Sequence, residues 1–210
     1  MIREMNVKTF FHIVGIFFLC STLGQCQQET TATKEVETDN KIVAAARSQV
    51  GKTTSYDPAY RSLGYPNGDI DISKGVCTDV VIRALRTGKQ MDLQKLVHED
   101  MKANFSKYPK NWGLKGTDKN IDHRRVPNLK TFFKRRGWSL AVSTKKEDYQ
   151  PGDLVTCTVA GKLPHIMIVS DKKSSDGTPL ILHNIGSGAV EEDRLFDFPL
   201  TGHYLSLIHI

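Results

Sequence analysis

One cysteine of the chain occupies a position at which a thiol can be activated. Cys77 lies in the segment GVCTDVVIRALR (75–86), where two small polar residues and an apolar pattern of helical period follow it. A buried cysteine usually serves as a small hydrophobic side chain. In the first turn of a helix, however, the helix dipole and free N–H groups stabilise a thiolate. The position therefore predicts a nucleophile with a lowered pKa at Cys77.

A nucleophilic thiol needs a base, usually a histidine that a third polar group orients. His165 opens the apolar segment HIMIVS, and His183 closes LILH and is followed by Asn184. Each histidine alone could be a satisfied core residue, but together with Cys77 they indicate a site. Because successive strand residues point to opposite faces, only one of His183 and Asn184 can be the third group.

Helical patterns precede strand patterns along the chain. Helices are predicted at about 41–50, 77–86, 92–105 and 127–136, and short β-branched strands at 138–142, 153–159, 165–170, 179–184 and 203–208. This order favours an α+β fold with an antiparallel sheet. The residues between the first two helices form a long irregular segment, which indicates function or a wall of a site. Cys157 alternates with valines on one strand face, so we expect it to fill the core rather than form a disulfide.

Composition and charge exclude several classes. With 210 residues, 39% hydrophobic and 25% charged, the chain is neither disordered nor fibrous and can form one domain with a core. A net charge of +6 permits an anionic partner such as nucleic acid, a membrane surface or the bacterial cell wall. No zinc-finger spacing, aromatic and glycine sheet motif or helix-turn-helix pattern is present, so we expect no nucleic acid partner.

The N-terminus has the pattern of an export signal. Residues 1–26 contain a basic start, an apolar run too short for a membrane span, and small residues. Residues 27–40 are polar and predict a disordered tether, which leaves 41–210 as a single domain. Cys26 follows LGQ and resembles the lipid-attachment cysteine of bacterial lipoproteins, although Gln25 stands where a small residue is preferred. We expect a periplasmic or lipid-anchored protein, with plain secretion as the alternative.

The segment QPGDLVTCTVAGKLPHIMIVSD (150–171), together with LILHN (180–184), resembles the catalytic half of NlpC-type cysteine peptidases of bacterial cell walls. The resemblance implies a papain-like fold in which N-terminal helices pack on an antiparallel sheet. In that family the nucleophile begins a helix and the base begins a strand. Cys77 and His165 stand at the matching positions.

A resemblance over about residues 45–207 is to the DUF1287 family of bacterial envelope proteins, through YDPAY, YPNGDI, GVCTDVVIRALR, YPKNWGL, NIDHRRVPNL, PHIMIVSD and TGHY. It implies Cys77 as nucleophile, His165 as base and His183 as orienting residue, with Asn184 as the alternative third residue. It also implies that Tyr56 lines the site and helps to bind an oxyanion, with the Cys77 N–H as second donor.

The insert NIDHRRVPNL (120–129) is absent from the minimal NlpC domain. Its charged residues form a structural ion-pair cluster, or its arginines bind a carboxylate of a wall peptide, which arginine does with two parallel bonds. The candidates for substrate binding are Asp57, Asp79, His123, Arg124 and Arg125. Asp79 also fits a charge that complements the helix dipole.

The expected protein is an exported, monomeric cysteine hydrolase without a cofactor that cleaves an amide bond in peptidoglycan stem peptides. Acyl transfer or other amide or ester hydrolysis on the same fold is one alternative, and a non-catalytic wall-binding lipoprotein is another. A zinc site formed by Cys77, His165, His183 and His203 is disfavoured, because no two of these residues have the close spacing of a metal-binding pair.

Overall fold

The computed structural model describes residues 41–204, which form a layer of helices on one face of an antiparallel sheet. All of them belong to one compact unit of the chain. The predicted signal at 1–26, the lipidation candidate Cys26, the tether at 27–40 and the residues after 204 lie outside the described residues.

The four predicted helices are present. They are α1 (41–47), α2 (Cys77–Lys89), α3 (Leu93–Asn104) and α4 (Val126–Arg135). The side chain of Asp92 accepts a hydrogen bond from the Gln94 N–H and so caps α3. Pro127 lies in the first turn of α4, where its missing N–H costs nothing. Among the described residues, no helix is long and apolar enough to cross a membrane.

The main sheet has six strands in the order β3-β8-β4-β5-β6-β7, and every neighbouring pair is antiparallel. The strands are β3 (Ser139–Leu140), β4 (Leu154–Val159), β5 (Leu163–Lys173), β6 (Pro179–Asn184), β7 (Ala189–Glu192) and β8 (Leu200–Tyr204). In the irregular segment after α1, β1 (Ser55–Tyr56) and β2 (Lys74–Gly75) form a small parallel pair. The predicted α+β class is therefore confirmed, while β7 was not predicted.

The two faces of the sheet have separate apolar cores. Ile166, Ile168 and Leu182 pack with Cys77 and the helices. The residues between them along the strands face the other side, where Cys157 packs with Met167 and Ile181 among others. Cys157 is buried and free, so its prediction as a core residue is confirmed and it forms no disulfide with Cys77.

Candidate active site

Cys77 is the first residue of α2, and the residues before it set this position. Gly75 ends β2, and Val76 has the extended backbone of a residue that precedes a helix. A carboxylate oxygen of Asp79 accepts a hydrogen bond of 2.7 Å from the Val76 N–H. This bond satisfies a donor that the helix itself cannot pair, and it fixes where α2 begins.

The thiol of Cys77 lies in a dry environment, because the residue is only 4% exposed. Burial raises the pKa of this thiol to about 12, and the nearby Asp79 carboxylate adds to the effect, although backbone N–H groups of Ile166 and Thr78 favour the thiolate. The prediction of a lowered pKa is therefore wrong. Desolvation of the charged form outweighs the helix terminus here, and the resting residue is a neutral thiol.

His165 and His183 are joined by a hydrogen bond. Nε2 of His165 lies 2.8 Å from Nδ1 of His183, and Nε2 of His183 lies 2.8 Å from Oε1 of Glu192. Burial is the main cause that lowers the pKa of both imidazoles, that of His165 to about 3. Both rings are therefore neutral at pH 7, and each has one donor and one acceptor nitrogen.

The hydrogen-bond network assigns the proton on each ring. A carboxylate only accepts, so Glu192 requires the proton of His183 on Nε2, and Nδ1 of His183 is then an acceptor. His165 must therefore donate from its own Nε2. Nδ1 of His165 keeps its lone pair and has no hydrogen bond among residues 41–204. This is the protonation state that a general base requires.

The backbone brings Cys77 to the beginning of β5, where His165 lies. The Ile166 N–H, one residue after His165, hydrogen-bonds the Cys77 thiol. His165 is paired with Cys157 on the neighbouring strand β4, and paired residues point to the same face of a sheet. The His165 side chain therefore lies on the face away from α2. Within the described part of the chain, the thiol and the imidazole share no direct hydrogen bond. The thiol contacts the backbone of β5 one residue after His165, while the imidazole lies on the other face of the sheet.

His183 and Asn184 point to opposite faces, as predicted, and only His183 contacts His165. The Asn184 amide donates to the carbonyl groups of Ser55 and Gly75, at 3.3 and 3.0 Å. Its oxygen accepts from the N–H groups of Gly186 and Gly188. Asn184 thus ties β1 and β2 to the end of β6, close to the start of α2.

A pocket of about 410 Å³ opens in front of Cys77. Its lining residues come from three parts of the chain, namely the segment around β1 and α2, the insert with the loop before it, and the β4–β5 turn: Tyr56, Pro58, Val76, Cys77, Asn111, Trp112, Ile121, Arg124, Arg125, Val126, Pro127, Lys162 and Pro164. Tyr56 is paired with Gly75 in the small sheet. Burial raises the pKa of Tyr56 to about 12, with a further contribution from Cys77. Tyr56 therefore borders the pocket beside Cys77, and its part in binding an oxyanion stays a prediction.

The guanidinium of Arg124 is hydrogen-bonded to four oxygen atoms of the protein. It forms two hydrogen bonds of 2.9 Å with the Asp79 carboxylate and two of 3.2 Å with the carbonyl groups of Asp57 and Ala59. Both Arg124 and Asp79 are buried. Of the two interpretations of the insert, the structural ion pair describes Arg124, and its partner is Asp79 of α2.

The other candidates for substrate binding lie in different surroundings. The Asp57 carboxylate accepts from the Ala59 N–H and pairs with Arg61 inside its own loop. His123 is buried, and burial lowers its pKa to about 3. Arg125 lines the pocket and stacks on Trp112, with 4.1 Å between the guanidinium carbon and the ring centre.

Sequence reasoning missed Glu192, Trp112 and Lys162. Glu192 lies on β7, a four-residue strand with no apolar alternation to reveal it. No group of three or more His, Cys, Asp and Glu residues within 41–204 is arranged to hold a metal ion. His203 lies 2.7 Å from the Asp153 carboxylate and stacks on Tyr149.

Comparison with known proteins identifies the family. The family model described as "Domain of unknown function (DUF1287)" matches residues 43–205. The uncharacterized protein YijF of Escherichia coli (strain K12) is 54% identical over 170 residues, which are 81% of this chain and 82% of that protein. Neither description names a reaction, so an activity must be argued from the site. The match over most of the chain shows that it belongs to the DUF1287 family.

Proposed function

We propose that the chain is a cysteine hydrolase that cleaves an amide bond in peptidoglycan stem peptides outside the cytoplasm. Cys77 is the nucleophile, His165 the base and His183 the residue that orients the base. The observation that carries the proposal is the hydrogen-bonded chain from Glu192 through His183 to His165. This chain leaves Nδ1 of His165 unprotonated. His165 directly precedes Ile166, whose backbone N–H contacts the Cys77 thiol.

The reaction begins from two neutral groups. Nδ1 of His165 takes the proton of the Cys77 thiol as the sulfur attacks the carbonyl carbon of the substrate. The protonated imidazole then gives this proton to the departing amine, and a thioester remains. A water molecule, deprotonated by the same imidazole, attacks the thioester and releases a carboxylic acid and the thiol. One water is consumed for each amide bond broken.

In the structure the His165 side chain points to the face of the sheet away from α2. The route therefore requires a rearrangement at the beginning of β5 that turns the imidazole toward the thiol when substrate binds. A substrate in the pocket also excludes water from Cys77, which is already buried. The backbone N–H of Cys77, in the first turn of α2, and the hydroxyl of Tyr56 are the donors proposed for the oxyanion.

A papain-like, NlpC-type fold is part of the same proposal. Three features support it: the cysteine that begins a helix, the packing of that helix on an antiparallel sheet, and the histidine near the beginning of a sheet strand. The insert around Arg124 then adds a wall to the pocket that a minimal domain lacks.

Export is proposed from the signal pattern at residues 1–26, and lipid attachment at Cys26 would keep the domain at a membrane surface. Metabolic labelling of the full chain with a clickable palmitate tests this, with Cys26→Ala as comparison. Label that persists in Cys26→Ala, or is absent from the unaltered protein, contradicts lipid attachment at Cys26.

The activity is tested by incubating the purified protein with muropeptides and measuring product masses. We expect products heavier by one water in total than the substrate, and none with Cys77→Ala. Cys157→Ala is the matched control, because Cys157 is the other buried free cysteine and lies on the sheet. Turnover by Cys77→Ala would contradict the thiol mechanism. Binding to cell-wall material without turnover would support the non-catalytic alternative.

A further inference from the structure

The guanidinium of Arg125 is not bonded to any carboxylate among the described residues. Among residues 41–204 its side chain makes no hydrogen bond and no ion pair, and its Nη1 is shielded from water without an acceptor. Its neighbour Arg124, by contrast, makes four hydrogen bonds to protein oxygens. An unpaired, partly desolvated guanidinium is costly, and an anionic ligand removes that cost.

The side chain of Arg125 is held in place although it lacks an acceptor. It stacks on the Trp112 ring at 4.1 Å, which is a favourable geometry for a guanidinium. Arg125 also precedes the first residue of α4, so the positive end of that helix adds to the same region. A flat cation fixed by an aromatic ring is prepared for a planar anion.

The charge of the pocket is one-sided. Arg124, Arg125 and Lys162 line it, and none of the lining residues is acidic. Asp79 balances the charge of Arg124, which leaves the charges of Arg125 and Lys162. The carboxylates of Asp118 and Asp122, which are not among the lining residues, raise the pKa of Arg125. Burial has the larger effect, so this pKa is lowered. The helix that begins at Cys77 also directs its N-terminus into this space. The pocket therefore favours an anion beside the nucleophile.

We propose that Arg125 and Trp112 form a carboxylate-binding subsite, and that the substrate carries a free carboxylate near the amide bond that Cys77 attacks. The proposal rests on the proposed hydrolase function and specifies its substrate as an acidic peptide. The guanidinium donates two parallel N–H bonds to the carboxylate, and Trp112 covers the adjacent carbon atoms. Arg124 supports the pocket wall and does not contact the ligand.

The test uses two muropeptides that differ only in whether their stem-peptide carboxylates are free or amidated. We expect kcat/KM to be higher for the free acid by about 10- to 100-fold, as for loss of a hydrogen-bonded charge pair. Arg125→Gln should lower the ratio of the kcat/KM values for the acid and the amide to about one. Arg125→Lys should restore part of the preference. Arg136→Gln, the same change at the other end of α4, is the control and should retain it.

Binding to Cys77→Ser, measured by calorimetry, separates this proposal from the hydrolase itself. Tighter binding of the acid that requires Arg125 supports the subsite even if no variant shows turnover, in which case only the hydrolase proposal fails. Turnover of both muropeptides at equal rates, unaffected by Arg125→Gln, overturns the subsite and leaves the hydrolase. Absence of both binding and turnover overturns both. Unfolding temperatures of each variant exclude a loss of folding as the cause.

Discussion

Nε2 of His165 donates to Nδ1 of His183 across 2.8 Å, and this single bond fixes which nitrogen of His165 can accept a proton. The bond has its direction because Glu192 holds the proton of His183 on the opposite nitrogen. The two rings meet at 76°, on the face of the sheet away from α2. The orienting group of the proposed site is therefore a pair of residues rather than one.

This relationship predicts unequal losses for the members of the chain. His165→Gln should lower kcat/KM by about 10²–10⁴-fold, the usual contribution of a general base. His183→Ala should cost less, because it only orients the base, and Asn184→Ala should act mainly on stability through its four backbone contacts. Rates for the three variants, compared with their unfolding midpoints, check the order. A larger loss in rate for His183→Ala than for His165→Gln would contradict the assignment of the base.

Glu192 is predicted to act as a positioning residue through the tautomer of His165. Nitrogen-15 NMR of the histidines should show His165 protonated on Nε2 in the unaltered protein and a mixture of tautomers in Glu192→Ala. We expect a parallel loss of about tenfold or more in kcat/KM, since only one tautomer can act as base. Asp193→Ala, which removes the adjacent acid, is the control. An unchanged NMR spectrum in Glu192→Ala would remove Glu192 from the proposed site.

The pH dependence of kcat/KM distinguishes a neutral resting pair from an ion pair. The Cys77 pKa is raised to about 12 and that of His165 lowered to about 3. The active form, thiol plus neutral imidazole, therefore persists between these values, and kcat/KM should be level from about pH 5 to pH 9. A thiolate–imidazolium pair would instead lose activity as imidazolium deprotonates within this range. If kcat/KM instead rises or falls with pH between pH 5 and pH 9, and His165→Gln abolishes that dependence, the neutral pair is contradicted.

The sequence could predict the elements that position the proposed site because their signals are local. An apolar period of 3.6 after Cys77 marks α2, and alternation in β4 places Cys157 in the core. The opposite directions of His183 and Asn184 follow from strand geometry alone. These features depend on residues that are neighbours along the chain.

The remaining features depend on contacts between distant segments. Arg124 meets Asp79 across 45 positions, and no spacing rule links them. The raised pKa of Cys77 results from its burial between the helices and the sheet, which a helix-terminus argument does not include. Glu192 was missed because β7 is too short to show a period. Tertiary burial therefore changes the electrostatics of the site after local sequence has set its positions.

Two buried histidines predict a loss of stability in acid. Burial lowers the pKa of both His123 and His165 to about 3, against 6.5 when unfolded. Between these values the unfolded chain binds more protons than the folded protein, so the free energy of unfolding falls as pH decreases from 6.5 toward 3. Each histidine contributes a slope of about 1.4 kcal/mol per pH unit. Urea unfolding at several pH values should show a smaller slope for His123→Gln, by about one proton, and an equal slope would contradict a neutral buried His123.

The ion pair between Arg124 and Asp79 predicts that the insert stabilises the site from a distance. Both side chains are buried, at 2% and 4% exposure, and they share two hydrogen bonds of 2.9 Å. Removing one partner leaves a buried charge unpaired, so Arg124→Met should lower the free energy of unfolding by about 3–5 kcal/mol. Asp79→Asn should also weaken the start of α2, because Asp79 accepts from the Val76 N–H. Lys95→Ala, which breaks an exposed pair on α3, is the control and should hardly change the urea midpoint. Because the carboxylate of the free acid contacts Arg125 and not Arg124 in the proposed complex, a folded Arg124→Met protein should retain its preference for the free acid. Selective loss of that preference would transfer the carboxylate contact to Arg124.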